Sequence, residues 1–309
     1  MRTASIDIGT NTIRLLICEK TSEGKLRRLC VDRVITRLGE GFSVESRLLT
    51  TNAVARSIEA LKTFSQKIKE YEVDDYRAVA TSVVRESVNG SEFVNEVKHQ
   101  TGLTIEVISG EQEAKLTVLG VLNSIEVKTK DSIIFDIGGG STEYVYIQDT
   151  DILSLTSTNL GVVHLTEEFL INETRAEMAL LSDFVQVTLH RELKDFKVDK
   201  NSKLTLIGTA GTPTTLAAID LELKEYNSAL VNNYVLTEYR ISSILEKLIN
   251  IPRIDRVNLP GLEKGREDII ITGIIILLET LNYFSTDQVI VSDEGVLEGI
   301  ARSITSKSS

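Results

Sequence analysis

Two stretches of the chain carry aspartate, glycine and small hydroxyl residues in the same order. Residues 5–18 read SIDIGTNTIRLLIC and residues 134–147 read IFDIGGGSTEYVYI. In each, an apolar run ends at Asp-Ile-Gly, small polar residues follow, and a second apolar run begins. Such a strand-turn-strand suits anion chemistry. Gly9 and Gly138 let the backbone turn tightly and let a ligand approach the main chain. The amides of Thr10, Asn11, Gly139, Gly140 and Ser141 can then form anion-binding nests, while Asp7 and Asp136 could each hold a divalent cation through water. Three successive glycines weaken a strand pair without structural need, so Gly138–Gly140 points to a ligand rather than to a plain hairpin. The two aspartates lie 129 residues apart (136 less 7). That is too far for a solenoid repeat and suits two duplicated domains. Facing each other, the two hairpins would make a phosphate-and-metal clamp.

Other segments add charged groups. In Ile108-Ser109-Gly110-Glu111-Gln112-Glu113-Ala114, Ser109 and Gln112 have the spacing of a capping box. Glu111 and Glu113 either complement the helix N-terminus, or one of them is a general base that deprotonates water beside a phosphate. Arg85, one turn into a helix after Ala80-Thr81-Ser82, could fork onto phosphate oxygens or form a surface ion pair. The loop Gly208-Thr209-Ala210-Gly211-Thr212 follows a strand and precedes a helix, so it can present amides to a phosphate. It lacks the lysine of a P-loop. Arg266 follows the Pro260-Gly261 turn and stands before the most apolar run, Ile269 to Leu278. His164 reads as structural or exposed.

These groups need elements to position them. Strands at 5–18, 28–37, 76–81 and 103–108 alternate with helices at 51–71, 91–101 and 110–122, the pattern of a mixed or parallel sheet covered by helices. A charged stretch at 123–131 opens the second half. There the second hairpin, a return strand at 152–158, a helix from about Leu165, a strand at 204–207, helices at 239–250 and 266–284, a strand at 288–291 and a helix from about Gly295 are expected.

Composition excludes several classes. The 309 residues suffice for two domains, and a net charge of −11 opposes a general nucleic-acid binder. A polyanionic substrate then requires locally concentrated positive charge, for which Arg14, Arg85 and Arg266 are candidates. The start of the chain carries no signal-peptide pattern, and the run 269–278 is too short to cross a bilayer, so no membrane association is expected. Cys18 and Cys30 form no CxxC, in keeping with a reducing cytoplasm. Three scattered histidines, His99, His164 and His190, argue against zinc.

Taken together, the chain resembles the Ppx/GppA family of exopolyphosphatases and guanosine pentaphosphate phosphohydrolases. The stretches that carry the resemblance are DIGTNTIRLL, ATSVVRES, VISGEQEA, FDIGGGSTE, LGVVHLTEEFL, IGTAGTPTTLAA, LPGLEKGREDII and VSDEGVLEGI, in family order from residue 5 to residue 301. The resemblance implies an α/β fold of two duplicated ribonuclease H-like domains of the actin, sugar kinase and heat-shock ATPase superfamily, with a cleft between them. It assigns residues 1–123 to one domain and 124–309 to the other, with the last helix, from about 298, packing back on the first. It implies Glu113 as catalytic base, Asp136 and Glu143 as metal ligands, and Thr10, Asn11, Arg14, Arg85, Gly139, Gly140 and Ser141 as phosphate binders. Gly138, Gly208, Thr209 and Arg266 join the phosphate set on the residue argument above, and Asp7 joins the metal set. Two departures stand out. Gln112 replaces a frequent second glutamate, which leaves Glu113 the less ambiguous base, and His164 replaces a frequent arginine.

The expectation is therefore a cytoplasmic, Mg²⁺-dependent hydrolase (Mn²⁺ being a possible substitute), of the short two-domain form. It would release the terminal phosphate of inorganic polyphosphate, or convert pppGpp to ppGpp in the stringent response. A homodimer is compatible. Two rivals remain. An ATP-dependent kinase of the same superfamily would need a catalytic aspartate beyond Asp136, and none is found. A non-catalytic alarmone-binding regulator would have no need of Glu113.

Overall fold

The computed structural model describes residues 1–21, 26–42, 46–126, 130–198 and 203–307. The chain divides into two compact units, Met1–Gly120 with Val296–Ser309, and Val121–Gly295. The first unit thus ends at Gly120, just before the charged stretch expected to open the second half, and regains the chain at Val296.

In the first unit, β1 (Arg2–Ile8), β2 (Thr12–Lys20) and β3 (Leu26–Ile35) form an antiparallel meander. Then come α1 (Thr51–Glu70), β4 (Asp75–Ala80), α2 (Ser82–Glu86), α3 (Gly90–Thr101), β5 (Ile105–Val107) and α4 (Gly110–Val121). The sheet order is β3-β2-β1-β4-β5, with β4 parallel to both β1 and β5. Alternation along β1 explains its two faces. Ala4, Ile6 and Ile8 join Leu61 and Phe64 of α1 and Phe93 and Val97 of α3 in one core.

The second unit repeats the plan. Its elements are β6 (Asp131–Ile137), β7 (Thr142–Gln148), β8 (Asp151–Thr158), α5 (Val162–Phe169), α6 (Arg175–Glu192), β9 (Thr205–Thr209), α7 (Gly211–Asp220), α8 (Ser228–Val231), β10 (Val235–Thr237), α9 (Glu238–Ile249), α10 (Ile270–Tyr283) and β11 (Gln288–Val291). Read from its other edge, the sheet runs β8-β7-β6-β9-β11-β10. Three antiparallel strands followed by two parallel ones recur in both units, so the fold is a duplication of one α/β sheet. β10 is an addition, antiparallel to β11 at the edge. The final helix, α11 (Val296–Lys307), lies in the first unit, where Leu297 and Ala301 meet Leu16 and Cys18 of β2.

α10 is the apolar run noted in the sequence, buried from Ile270 to Leu277. It starts later than expected because Arg266–Ile269 forms the turn that enters it, with the Ile270 amide donating to the Arg266 carbonyl at 3.0 Å. Among the described residues, no helix is long and apolar enough to cross a membrane.

Candidate active site

The two hairpins turn in the same way. The Gly9 amide donates to the Thr12 carbonyl at 3.0 Å, and the Gly138 amide to the Ser141 carbonyl at 2.9 Å. Neither glycine has a positive φ, so neither turn depends on the left-handed region. The glycine requirement lies instead at Gly161. A Cβ on Gly161, just before α5, would collide with the Gly140 main chain, and the Val162 and Val163 amides donate to the carbonyls of Gly138 and Gly139 at 3.1 and 2.9 Å. The glycine run is therefore seated directly on the start of α5.

The first turn is held by the loop after β3. The Gly39 amide donates to the Thr10 carbonyl at 2.8 Å, and the amides of Thr36 and Arg37 donate to the Asn11 carbonyl at 3.1 and 2.9 Å. Arg37 adopts φ 49° to do so, a costly conformation for a side chain of its size. Thr10 shares a hydroxyl contact of 3.1 Å with Ser82 at the start of α2. Among the described residues, no hydrogen bond engages the amides of Thr10, Asn11, Gly139, Gly140 or Ser141. The Asn11 side-chain amide, 7% exposed, is likewise a donor with no acceptor. A buried donor without an acceptor, as the Asn11 side chain is, is costly, and an anion at the turn would satisfy it.

Behind the hairpins, register decides the charge. Asp7 pairs across the strands with Arg14, and Asp136 pairs with Glu143. In the first unit the result is an ion pair, with Arg14 Nη2 2.6 Å and Nε 3.0 Å from Asp7 Oδ2. In the second it is two buried carboxylates facing each other. Glu143, 1% exposed, accepts the Ser141 hydroxyl at 2.8 Å and the Ser157 hydroxyl at 2.7 Å, both on Oε1. Of the three carboxylates expected at a metal, Asp7 is engaged by the Arg14 guanidinium.

The fit of a divalent cation to Asp136 and Glu143 turns on their donor set. Every donor is an oxygen, as hard cations prefer. Carboxylates directly opposite on paired strands repel, and a cation held there would relieve that cost. Among the described residues, no group of three or more His, Cys, Asp and Glu could hold a metal. The protein would thus supply two carboxylates and leave the other positions to water and phosphate, the arrangement Mg²⁺ favours. The residues fit.

Glu113 lies in the first turn of α4, only 8% exposed. The capping box expected before it is present: the Ser109 amide donates to Gln112 Oε1 at 2.9 Å, and the Gln112 amide to the Ser109 hydroxyl at 3.2 Å. Arg85 reaches the same place from α2, its Nη1 3.0 Å from the Ile108 carbonyl and 3.5 Å from Glu113 Oε2. Glu111 points elsewhere. It is exposed and paired with Lys115 at 2.6 Å, which holds its carboxyl below the usual range. Of the two glutamates, Glu113 is the buried one and lies beside an arginine.

In the second unit, the Arg266 guanidinium occupies the space that a Cβ on Gly211 would need, at the first residue of α7. Its Nε donates to Glu263 at 2.7 Å. Ala210 just before α7 has φ 68° and ψ −163°, a region almost reserved for glycine. Gly208 and Thr209 are the last two residues of β9. Gly208 lies inside the sheet between β6 and β11, with the Phe135 ring filling its missing side chain. The Thr209 hydroxyl donates to the Glu294 carbonyl at 2.9 Å. His164 rests on the Asn159 carbonyl at 3.1 Å. Ser82, Ser157, Gly161 and Arg37 were not singled out in the sequence. Ser82 sits within the ATSVVR stretch that drew attention to Arg85, whereas the other three become visible only through register or tertiary contact.

Residues 16–308 match the Ppx/GppA phosphatase family. The chain belongs to this family. It is 30% identical to exopolyphosphatase 2 of Mycobacterium tuberculosis, over 98% of both chains. It is 35% identical to the bifunctional 3-dehydroquinate synthase/phosphatase of Fusobacterium nucleatum over 96% of its own length, but spans only 46% of that protein. The crystal structure of the Aquifex aeolicus member of the Ppx/GppA family superposes with a TM-score of 0.82 at 34% identity, covering 100% of this chain and 98% of that one. The Ppx/GppA fold therefore extends over the whole chain.

Proposed function

We propose that this Ppx/GppA protein is a cytoplasmic exopolyphosphatase that removes the terminal phosphate of inorganic polyphosphate by metal-assisted hydrolysis. The observation that carries the reading is the end-to-end similarity to a protein named exopolyphosphatase 2, with neither chain leaving a sizeable part uncovered. The seating of Glu113 against Arg85 supports it chemically.

In this reading Glu113 accepts a proton from water as the water oxygen bonds to the terminal phosphorus. The P–O bond to the next phosphate breaks, and the chain leaves one phosphate shorter. Arg85 holds Glu113 in place and offers a guanidinium to phosphate oxygens. The amides of the two turns, with the Asn11 side chain, donate hydrogen bonds to phosphate oxygens. Arg266 adds positive charge at the start of α7. Mg²⁺ or Mn²⁺, when held by Asp136 and Glu143, supplies charge neutralisation on phosphate oxygens. Phosphoryl transfer asks chiefly for such positioning and charge, which these residue types provide.

Phosphate release from the purified protein, given polyphosphate and pppGpp in separate reactions with Mg²⁺, tests the proposal. Release from polyphosphate at the higher kcat/KM is expected. Release from pppGpp alone would reassign the substrate to the nucleotide.

A further inference from the structure

Glu143 receives two hydroxyls on one oxygen, and only one of them comes from its own hairpin. Ser141 is in the turn. Ser157 is on β8, directly opposite Glu143 in the β7–β8 register, and its hydroxyl lies 2.7 Å from Oε1. The duplicated position in the first unit differs, since there Arg14 faces Arg33 of β3. The hydroxyl on β8 is thus specific to the unit that pairs two carboxylates.

A glutamate's terminal torsion is broad, so burial alone does not fix which oxygen faces where. Two hydroxyl donors converging on Oε1 do fix it. Each bond to a charged acceptor is also stronger than a neutral one. Groups that orient a metal ligand in this way commonly change metal affinity 10- to 100-fold when removed. We propose that Ser157 is a positioning residue for divalent-cation binding, acting through Glu143 and contributed by a third strand. This inference rests on the reading of Asp136 and Glu143 as the cation site.

Ser157 is exposed on an edge strand, so truncating it opens no core cavity and the fold should stand. The experiment is Mn²⁺ binding to the intact protein without substrate, followed by titration calorimetry and by the Mn²⁺ EPR signal. It compares the wild type with Asp136→Asn, Ser157→Ala and Ser157→Thr, with thermal melting as a control. Expected is a roughly tenfold loss of Mn²⁺ affinity in Ser157→Ala at unchanged melting temperature. Ser157→Thr, which keeps the hydroxyl, should recover most of it. In turnover assays Ser157→Ala should raise the Mg²⁺ concentration for half-activation while kcat at saturating Mg²⁺ is nearly kept. If the wild type binds Mn²⁺ no better than Asp136→Asn, the cation site itself is wrong and the inference falls with it. If the wild type binds and Asp136→Asn does not, but Ser157→Ala binds like the wild type, the role of Ser157 alone is overturned.

Discussion

Arg14 lies directly across the first hairpin from Asp7, its Nη2 2.6 Å from Oδ2, at the register where the second hairpin sets Glu143 across from Asp136. One backbone plan has thus been given opposite charges. The first copy pairs its aspartate with an arginine. The second copy places two carboxylates together, which suits a cation.

The Asp7–Arg14 pair makes its own prediction. Asp7 is buried, so Arg14→Ala leaves a desolvated carboxylate without its guanidinium and should destabilise the fold by about 1–3 kcal/mol. Adding Asp7→Asn to that variant should recover part of the loss, because the orphaned charge is gone. Urea denaturation of the two variants measures both effects. Arg14→Ala should also raise KM for polyphosphate, and Arg14→Glu should raise it further.

Glu113 and Glu111 separate the base from the bystander. Glu113→Gln should lower kcat by about 10²–10⁴, the range of a general base, while substrate still binds. Glu111→Gln breaks only an exposed pair with Lys115, worth about 0.3–0.5 kcal/mol of helix stability, and should leave kcat nearly unchanged. Steady-state kinetics on both variants, with equilibrium binding of polyphosphate to Glu113→Gln, checks the assignment. Equal losses in the two variants would contradict it.

Ala210 offers a test of stored strain. Its positive φ at the entrance to α7 costs about 1–3 kcal/mol for a residue with a side chain. Glycine removes that cost and loses about 0.5–1 kcal/mol through unfolded-chain entropy. Ala210→Gly should therefore stabilise the fold by about 1 kcal/mol in urea denaturation. A destabilised variant would show that the alanine methyl makes contacts worth more than the strain.

Much of the site could be read from the sequence because its geometry is local. Asp7 with Arg14 and Asp136 with Glu143 are each seven residues apart around a four-residue turn, so register follows from spacing. The capping box before Glu113 is likewise a three-residue pattern. What escaped the sequence depends on distant contacts. Ser157 reaches Glu143 only once β8 has paired with β7, across a register shift between Tyr146 and Ile147. Gly161 matters because the chain returns against Gly140 after a whole strand. The contact of Gly208 with the Phe135 ring likewise comes from the neighbouring strand. β10 was missed because three residues carry too little periodicity to register as a strand.

Metal dependence follows from the second hairpin. EDTA should abolish phosphate release, and Mg²⁺ or Mn²⁺ should restore it. Ca²⁺ should restore it poorly because its looser coordination suits in-line transfer less well. Asp136→Asn should chiefly raise the Mg²⁺ concentration needed, as measured by activity against free Mg²⁺.

The central claim is hydrolysis of a phosphoanhydride with Glu113 as base, and isotope incorporation addresses it most directly. Polyphosphate turned over in ¹⁸O-labelled water with Mg²⁺ should yield inorganic phosphate in which each released molecule carries one solvent oxygen. Glu113→Gln should yield little such product over the same time. Mass spectrometry of the released phosphate reads the result. Unlabelled phosphate, phosphate transferred to an added acceptor, or full labelling at an undiminished rate in Glu113→Gln would contradict the account.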